Sequence, residues 1–260
     1  MSYTLITVNI SGSGAIITLN RPDKFNSFNR PMALELIQAL DELGADESVR
    51  AVMITGSGKA FCAGQDLNEA IDPNGPGLQR ILAEGYNPII RRIRSLKKPV
   101  VAAVNGVAAG AGANIALACD IVVARASSSF IQAFSKIGLI PDSGGTITLP
   151  RLIGFQKASA LMMLGDKVSA TEAENLGMVY KVWPDETFEE EATKLLNHLA
   201  NMPTYGLALT KQALNQTVFA GLDQQLDLEE ELQLKAGSSY DYQEGVNAFI
   251  EKRNPVFKGK

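Results

Sequence analysis

The chain has 260 residues, 46% hydrophobic and 20% charged, with 24 Lys and Arg against 28 Asp and Glu for a net charge of −4. That composition excludes disordered and collagen-like chains and leaves no positive excess for a nucleic-acid surface. With two cysteines, Cys62 and Cys119, and one histidine, His198, a disulfide framework and a multi-histidine zinc site are excluded as well. A reducing cytoplasm is the expected setting. The start MSYTLITVNISG lacks the basic and apolar segments of a signal peptide, and no apolar run reaches the roughly 18 residues of a membrane span. A soluble protein is expected, long enough for one large α/β domain.

Residues 3–10 and 15–19, separated by Ser11-Gly12-Ser13-Gly14, predict an opening hairpin that ends at Asn20-Arg21-Pro22-Asp23. An amphipathic helix is expected over 32–43, then a strand over 49–55 stopped at Gly56-Ser57-Gly58. A second helix is expected over 78–96, with Arg91, Arg92, Arg94, Lys97 and Lys98 forming a solvated basic face. Lys98-Pro99 opens a strand over 100–104, a helix starts near Gly112, and the apolar run 121–124 follows. Strands that are apolar throughout and alternate with helices predict a parallel sheet covered by helices, an α/β fold. After about residue 185 the strand signals stop, and 187–200, 204–220, 222–234 and 239–252 read as helices. The division expected is a core over 1–185 and a C-terminal helical subdomain over 186–260, packed on that core and suited to oligomerisation.

Three segments have a chemical character. Ala60-Phe61-Cys62-Ala63-Gly64-Gln65-Asp66-Leu67 and Asn105-Gly106-Val107-Ala108-Ala109-Gly110-Ala111-Gly112-Ala113 are small-residue loops beyond the ends of parallel strands, where ligands collect in open α/β sheets. Glycines let backbone N–H groups approach a ligand, and two such loops can aim two donors at one oxygen. They would equally permit close helix–sheet packing. The GxG at Gly110–Gly112 is not a dinucleotide fingerprint, since Ile115 stands where a third glycine belongs. In the third segment Asp142 lies between Leu139-Ile140-Pro141 and Ser143-Gly144-Gly145. Apolar neighbours would raise its pKa towards proton-transfer chemistry, whereas the glycine pair suggests an N-cap. Local sequence alone favours the cap.

Together these segments resemble the crotonase (enoyl-CoA hydratase/isomerase) superfamily. The resemblance covers essentially the whole chain, from Leu19-Asn20-Arg21-Pro22 through Ala118-Cys119-Asp120-Ile121 to Glu244-Gly245-Val246-Asn247-Ala248-Phe249. It implies a spiral of β-β-α turns with a C-terminal helical region, assembled as trimers or pairs of trimers. It further implies an acyl-CoA thioester as substrate, with coenzyme A as part of that substrate, and neither a separate cofactor nor a metal. Carried over by position, the backbone donors to a thioester enolate are Gln65 and Ala111, and the catalytic acid/base is Asp142. Substrate contacts are implied at Ala63, Asp66, Leu67 and Asn68, with Lys24 and Lys258 near the CoA nucleotide and Tyr86 and Phe134 as walls of the acyl pocket.

Departures from the family pattern narrow the chemistry. Hydratases carry two glutamates at positions that here hold Asn114 and Phe134, so simple hydration of an enoyl-CoA is disfavoured. Dehalogenases of the superfamily need a pocket histidine and tryptophan. Here His198 lies in the C-terminal helices and Trp183 follows the last core strand. Segments 61–68, 86–92 and 133–142 resemble the branch that isomerises ring-1,2-epoxyphenylacetyl-CoA in phenylacetate catabolism and also shifts acyl-CoA double bonds. The alternatives are an enoyl-CoA hydratase, a Δ3-Δ2-enoyl-CoA isomerase of fatty-acid oxidation, and a non-catalytic acyl-CoA-binding relative. A spiral-type serine protease would need a Ser/His pair that His198 is badly placed to form.

Overall fold

The computed structural model describes residues 3–260. Among them the strands are, in chain order, β1 (Ile6–Ser11), β2 (Gly14–Leu19), β3 (Ala51–Gly56), β4 (Ala60–Cys62), β5 (Val100–Val104), β6 (Val107–Ala109), β7 (Ile121–Arg125), β8 (Ser129–Ile131), β9 (Lys167–Ser169) and β10 (Lys181–Trp183). A six-stranded sheet runs β1-β2-β3-β5-β7-β10, and a second sheet runs β4-β6-β8-β9. β1 and β2 form the expected antiparallel hairpin, and β2, β3, β5, β7 and β10 are parallel. From β3 to β8 each strand of the large sheet is followed at once by one of the small sheet, and helices return the chain, while β9 of the small sheet precedes β10 of the large one. This is the spiral of β-β-α turns that the resemblance implied.

Burial on both faces explains why the central strands β3, β5 and β7 are almost wholly apolar. Val52, Ile54, Ala102, Val104 and Val122 face the main core with Met32, Leu36 and Leu40 of helix Arg30–Ala45 and Ile89 and Ile93 of helix Asn87–Ser95. Ala51, Met53, Val101, Ala103 and Val123 face the other way, under Phe188, Ala192 and Leu196 of helix Phe188–Asn201. The C-terminal helices Thr204–Val218, Leu222–Gly237 and Tyr240–Glu251 complete the chain. No helix among the described residues is long and apolar enough to cross a membrane.

Three expectations need correction. The small-residue stretches after β3 and β5 are not simply loops, because Ala60–Cys62 and Val107–Ala109 are paired strands of the second sheet. The helix expected over 78–96 is divided into Gly77–Arg80, a π-helical stretch Ile81–Tyr86, and Asn87–Ser95. Pro88 lacks the N–H that would continue an unbroken ladder. The basic face is not all solvated.

Arg94 and Lys98 are buried. The Arg94 guanidinium and the Lys211 ammonium both pair with the Asp120 carboxylate, at 2.9 and 2.7 Å. Asp120 also accepts the Val100 N–H at 2.8 Å, which ties this cluster to the start of β5. Lys98 Nζ donates to the carbonyls of Leu43 and Asp46, both at 2.6 Å, at the C-terminal end of helix Arg30–Ala45, where carbonyls lack helical partners. Arg91 and Arg92 do remain at the surface, in ion pairs with Asp223, Asp227 and Asp41. Removing one member of a buried ionic cluster strands the others, at a cost of about 3–5 kcal/mol. Asp120→Ala is therefore expected to lower unfolding stability by that amount in urea titration, and a loss below about 1 kcal/mol would contradict the buried placement.

Candidate active site

The site begins where β4 ends. Phe28 donates its N–H to the Gly64 carbonyl and accepts from the Asp66 N–H, both at 2.7 Å, in a parallel bridge across Gln65. In such a bridge the residue between the two bonded neighbours turns its own N–H away from the partner strand. The Gln65 amide is thus left free on the opposite side. Beyond β6, Gly110 ends the strand with φ +53° and starts helix Ala111–Leu117. First-turn amides of a helix have no helical acceptor, so the Ala111 N–H is free too. Gly64, at φ +95°, brings the two chain segments together: a Cβ there would lie 3.0 Å from the Ala109 carbonyl and 3.7 Å from the Ala111 nitrogen. Gly112 lets the same helix rest on Cys62, whose carbonyl a Cβ would approach to 2.5 Å. Burial pushes the Cys62 thiol up to about 12, so it packs rather than reacts.

Side chains lock the Gln65 segment. Tyr86, buried edge-on against Phe28, donates its hydroxyl to Gln65 Oε1 at 2.7 Å. Gln65 Nε2 donates in turn to Glu69 at 2.9 Å. Asp66 accepts from the Asn68 N–H at the start of helix Leu67–Ile71 and pairs with Arg21 at 2.9 Å. The Arg21 pairing ties the Asn20-Arg21-Pro22 turn to this segment, and it occupies the Asp66 carboxylate in the fold itself.

A cavity of about 420 Å³ opens over both free amides. Its wall includes Lys24, Ala63, Gln65, Asp66, Leu67, Asn68, Tyr86, Ala111, Phe134 and Asp142. The fold thus gathers ten of the residues singled out in the sequence around one space. Lys258 is not among them: its ammonium sits 4.1 Å above the Tyr240 ring, and its own chain does not bring it to the cavity. His198 is exposed on helix Phe188–Asn201.

Asp142 does not cap the helix that follows. Gly144, in the left-handed region, precedes helix Gly145–Ile153, and the Asp142 side chain turns elsewhere. The residue is 5% exposed. Ser143 Oγ donates to one carboxylate oxygen at 2.8 Å, and Gln233 Nε2 donates to the other at 3.2 Å. Burial is the main cause that pushes this carboxyl up to about 7. The negative charge of Glu229 adds to the rise, and the two hydrogen bonds oppose it. The backbone is held from two sides. Asn114 Nδ2 donates to the Asp142 carbonyl at 2.8 Å and is itself held by Gln132. Gly144 and Thr146 donate their N–H groups to the Glu229 carboxylate at 2.8 and 2.9 Å, and Ile140 donates to Gln233 Oε1 at 2.8 Å.

Residues 9–260 match the profile of the enoyl-CoA hydratase/isomerase family. The chain belongs to that family. It is similar to the 1,2-epoxyphenylacetyl-CoA isomerase of Escherichia coli K12, with 51% identity over 94% of both chains. It is also similar to a probable enoyl-CoA hydratase of Rhodobacter capsulatus, with 45% identity over the full length of both. A crystal structure of an enoyl-CoA hydratase from Mycobacterium avium subsp. paratuberculosis superposes with a TM-score of 0.91 at 35% identity, covering 99% of this chain and all of that one. As a member of this family the chain is a crotonase-fold enzyme of the hydratase/isomerase type.

Within this family member the sequence reading missed Gln233 and Glu229. Both sit on helix Leu222–Gly237, whose other polar residues make it look uniformly solvated, and only their burial sets them apart. Ionising Asp142 in this surrounding opposes folding, because the unfolded carboxyl loses its proton near pH 3.9 and the folded one only near 7. Stability is therefore lost as pH rises between those values. Asp142→Asn, which carries no charge, is expected to melt above the parent protein at pH 8 and to lose that advantage near pH 4. Thermal unfolding of both proteins across this range checks it, and a variant less stable than the parent at pH 8 would contradict the buried-acid account.

Proposed function

We propose that the chain is an acyl-CoA isomerase that shifts double bonds in enoyl-CoA thioesters and converts ring-1,2-epoxyphenylacetyl-CoA to its seven-membered oxepin. The observation that carries this reading is a single buried carboxyl, Asp142, lining the same cavity as two free backbone amides. The other acids of the wall are committed or open to water: Asp66 pairs with Arg21, and Asp23 is exposed. Addition of water is best served by two acids, and here the two positions where hydratases carry them hold Asn114 and Phe134. Asn114 instead props the Asp142 backbone, and Phe134 forms apolar wall.

In this mechanism the thioester carbonyl accepts from the Gln65 and Ala111 amides, each such donor being worth about 2.7–4 kcal/mol as negative charge develops on oxygen. Asp142 removes a proton from the carbon next to the thioester, and the C–H electron pair passes into the enolate. The same carboxyl returns that proton two carbons further on, and the double bond moves into conjugation. A pKa near 7 suits one group to both halves of this transfer. With the epoxide, the same two effects assist ring opening and expansion. Exposed Lys24 and Lys136 at the cavity rim would face the CoA phosphates.

Asp142→Asn is expected to lower kcat by about 10²–10⁴-fold for 3-enoyl-CoA isomerisation while CoA-ester binding persists. Turnover within a few-fold of the parent would sink the assignment. Assembly into trimers or pairs of trimers belongs to the same reading and is supported by exposed Phe155, Met163 and Leu164 on one helix. Light scattering should give the mass of three or six chains, and a monomer would refute this part.

A further inference from the structure

One residue of the cavity wall turns its polar end away from the cavity. The resemblance implies Tyr86 as a wall of the acyl pocket, and the residue does border that space. It is only 2% exposed, however. Its hydroxyl proton is given to Gln65 Oε1 at 2.7 Å, so none is left to donate to a bound acyl group. Burial pushes the phenol well above its ordinary pKa, with the charge of Asp142 adding to the rise, and this keeps it a donor.

The hydroxyl reaches Gln65 from an unusual turn. Tyr86 closes the π-helical stretch Ile81–Tyr86, a wider turn than an α-helix makes and of a kind that recurs at functional sites. Its ring stands edge-on to Phe28, with centroids 5.8 Å apart and planes at 82°. From Gln65 the contacts continue inward. Gln65 Nε2 donates to Glu69 at 2.9 Å, and the Glu69 carboxylate accepts the Arg30 N–H at 2.9 and 3.0 Å. That N–H opens helix Arg30–Ala45 of the main core. A chain of hydrogen bonds thus runs from the π-turn through the Gln65 side chain to a core helix.

The backbone bonds alone leave one motion open. Both bonds that hold the Gln65 segment go to a single residue, Phe28, and together they define a hinge line. Rocking about that line would swing the Gln65 amide towards or away from an oxygen shared with Ala111. Gly64, just upstream, has no side chain to stop it, and the Arg21 pairing acts downstream, on Asp66. The Gln65 side chain is the third point of support.

We propose that Tyr86 is a positioning residue, which through its hydrogen bond to the Gln65 side chain fixes the Gln65 amide where it stabilises an enolate oxygen. This role rests on the isomerase reading and adds to it a residue that acts without touching the reacting atoms. A fixed donor counts most where charge develops, so the effect falls on the transition state more than on binding.

The test uses Tyr86→Phe, which keeps the ring, and Gln65→Met, which keeps the backbone amide and the length of the side chain. For a straight-chain 3-enoyl-CoA, each is expected to lower kcat by about tenfold and to leave KM within about twofold of the parent. Removing an oxyanion donor outright would cost more, about 10²–10³-fold. The double variant is expected to fall no further than the less active single one, because both changes remove the same bond. Infrared difference spectra of a bound saturated acyl-CoA are expected to show the thioester carbonyl stretch shifted back towards its value in water in both single variants. A raised KM with kcat retained overturns the proposal, since Tyr86 would then merely shape the wall. Additive losses in the double variant, or a carbonyl stretch unmoved from the parent, overturn it as well. A parent that lowers the stretch yet moves no double bond refutes the isomerase reading instead, and the infrared comparison still decides the role of Tyr86.

Discussion

A carboxyl group held out of water is the constraint around which the site is arranged. Left to itself, the segment Leu139–Gly145 would turn Asp142 outward, because hydration of a carboxylate outweighs any local contact in the loop. It is prevented by ties from three directions. Asn114 holds the Asp142 carbonyl, Glu229 gathers the amides of Gly144 and Thr146, and Gln233 bridges Ile140 to the carboxylate itself. Two of these three come from helix Leu222–Gly237, more than eighty residues further along the chain. The C-terminal helices are thus part of the site as well as its cover.

The same economy appears in the spiral. Because strands β3 to β8 alternate between two sheets, the ends of β4 and β6 arrive side by side, and the amides after them point into one space. Parallel pairing of Phe28 with Gln65 turns one amide inward, and the start of a helix frees the other. No side chain has to supply a donor. This leaves the cavity free to be lined by Phe134, Tyr86, Leu82 and Leu139, and burial against such an apolar wall raises the pKa of Asp142.

The centre of the large sheet was legible because β3, β5 and β7 are runs of apolar residues long enough to stand out, as in Val100–Val104. The small sheet was not. Three residues such as Ala60–Cys62 or Val107–Ala109 carry no period, and their small side chains read as loop. The free amides could be placed by resemblance, but the bridge at Phe28 that orients one of them depends on residues 37 positions apart. Arg94 and Lys98 were misread for a related reason. A basic run looks solvated until the partner appears, and Asp120, Leu43 and Asp46 are distant in sequence. Asp142 was the sharpest case, since local spacing favoured a helix cap and only tertiary packing decides against it.

In the proposed mechanism one acid does two jobs, which sets a narrow requirement. A group that both takes and returns a proton works best with a pKa near the ambient pH, since a stronger acid takes the proton poorly and a weaker one is seldom ionised. An exposed aspartate fails on the first count. Full burial without partners fails on the second, because the charged form would be inaccessible. The hydrogen bonds from Ser143 and Gln233 pull the value down while burial and the Glu229 charge push it up, and the balance falls at about 7. Glu229 therefore serves twice, fixing the loop through its oxygens and tuning the acid through its charge. In the proposed reading, Asn114 and Phe134, which stand where the resemblance places the two hydratase acids, follow the same logic. A second ionised carboxylate in this space would drive the Asp142 pKa higher still, out of the range in which a single shuttle can work.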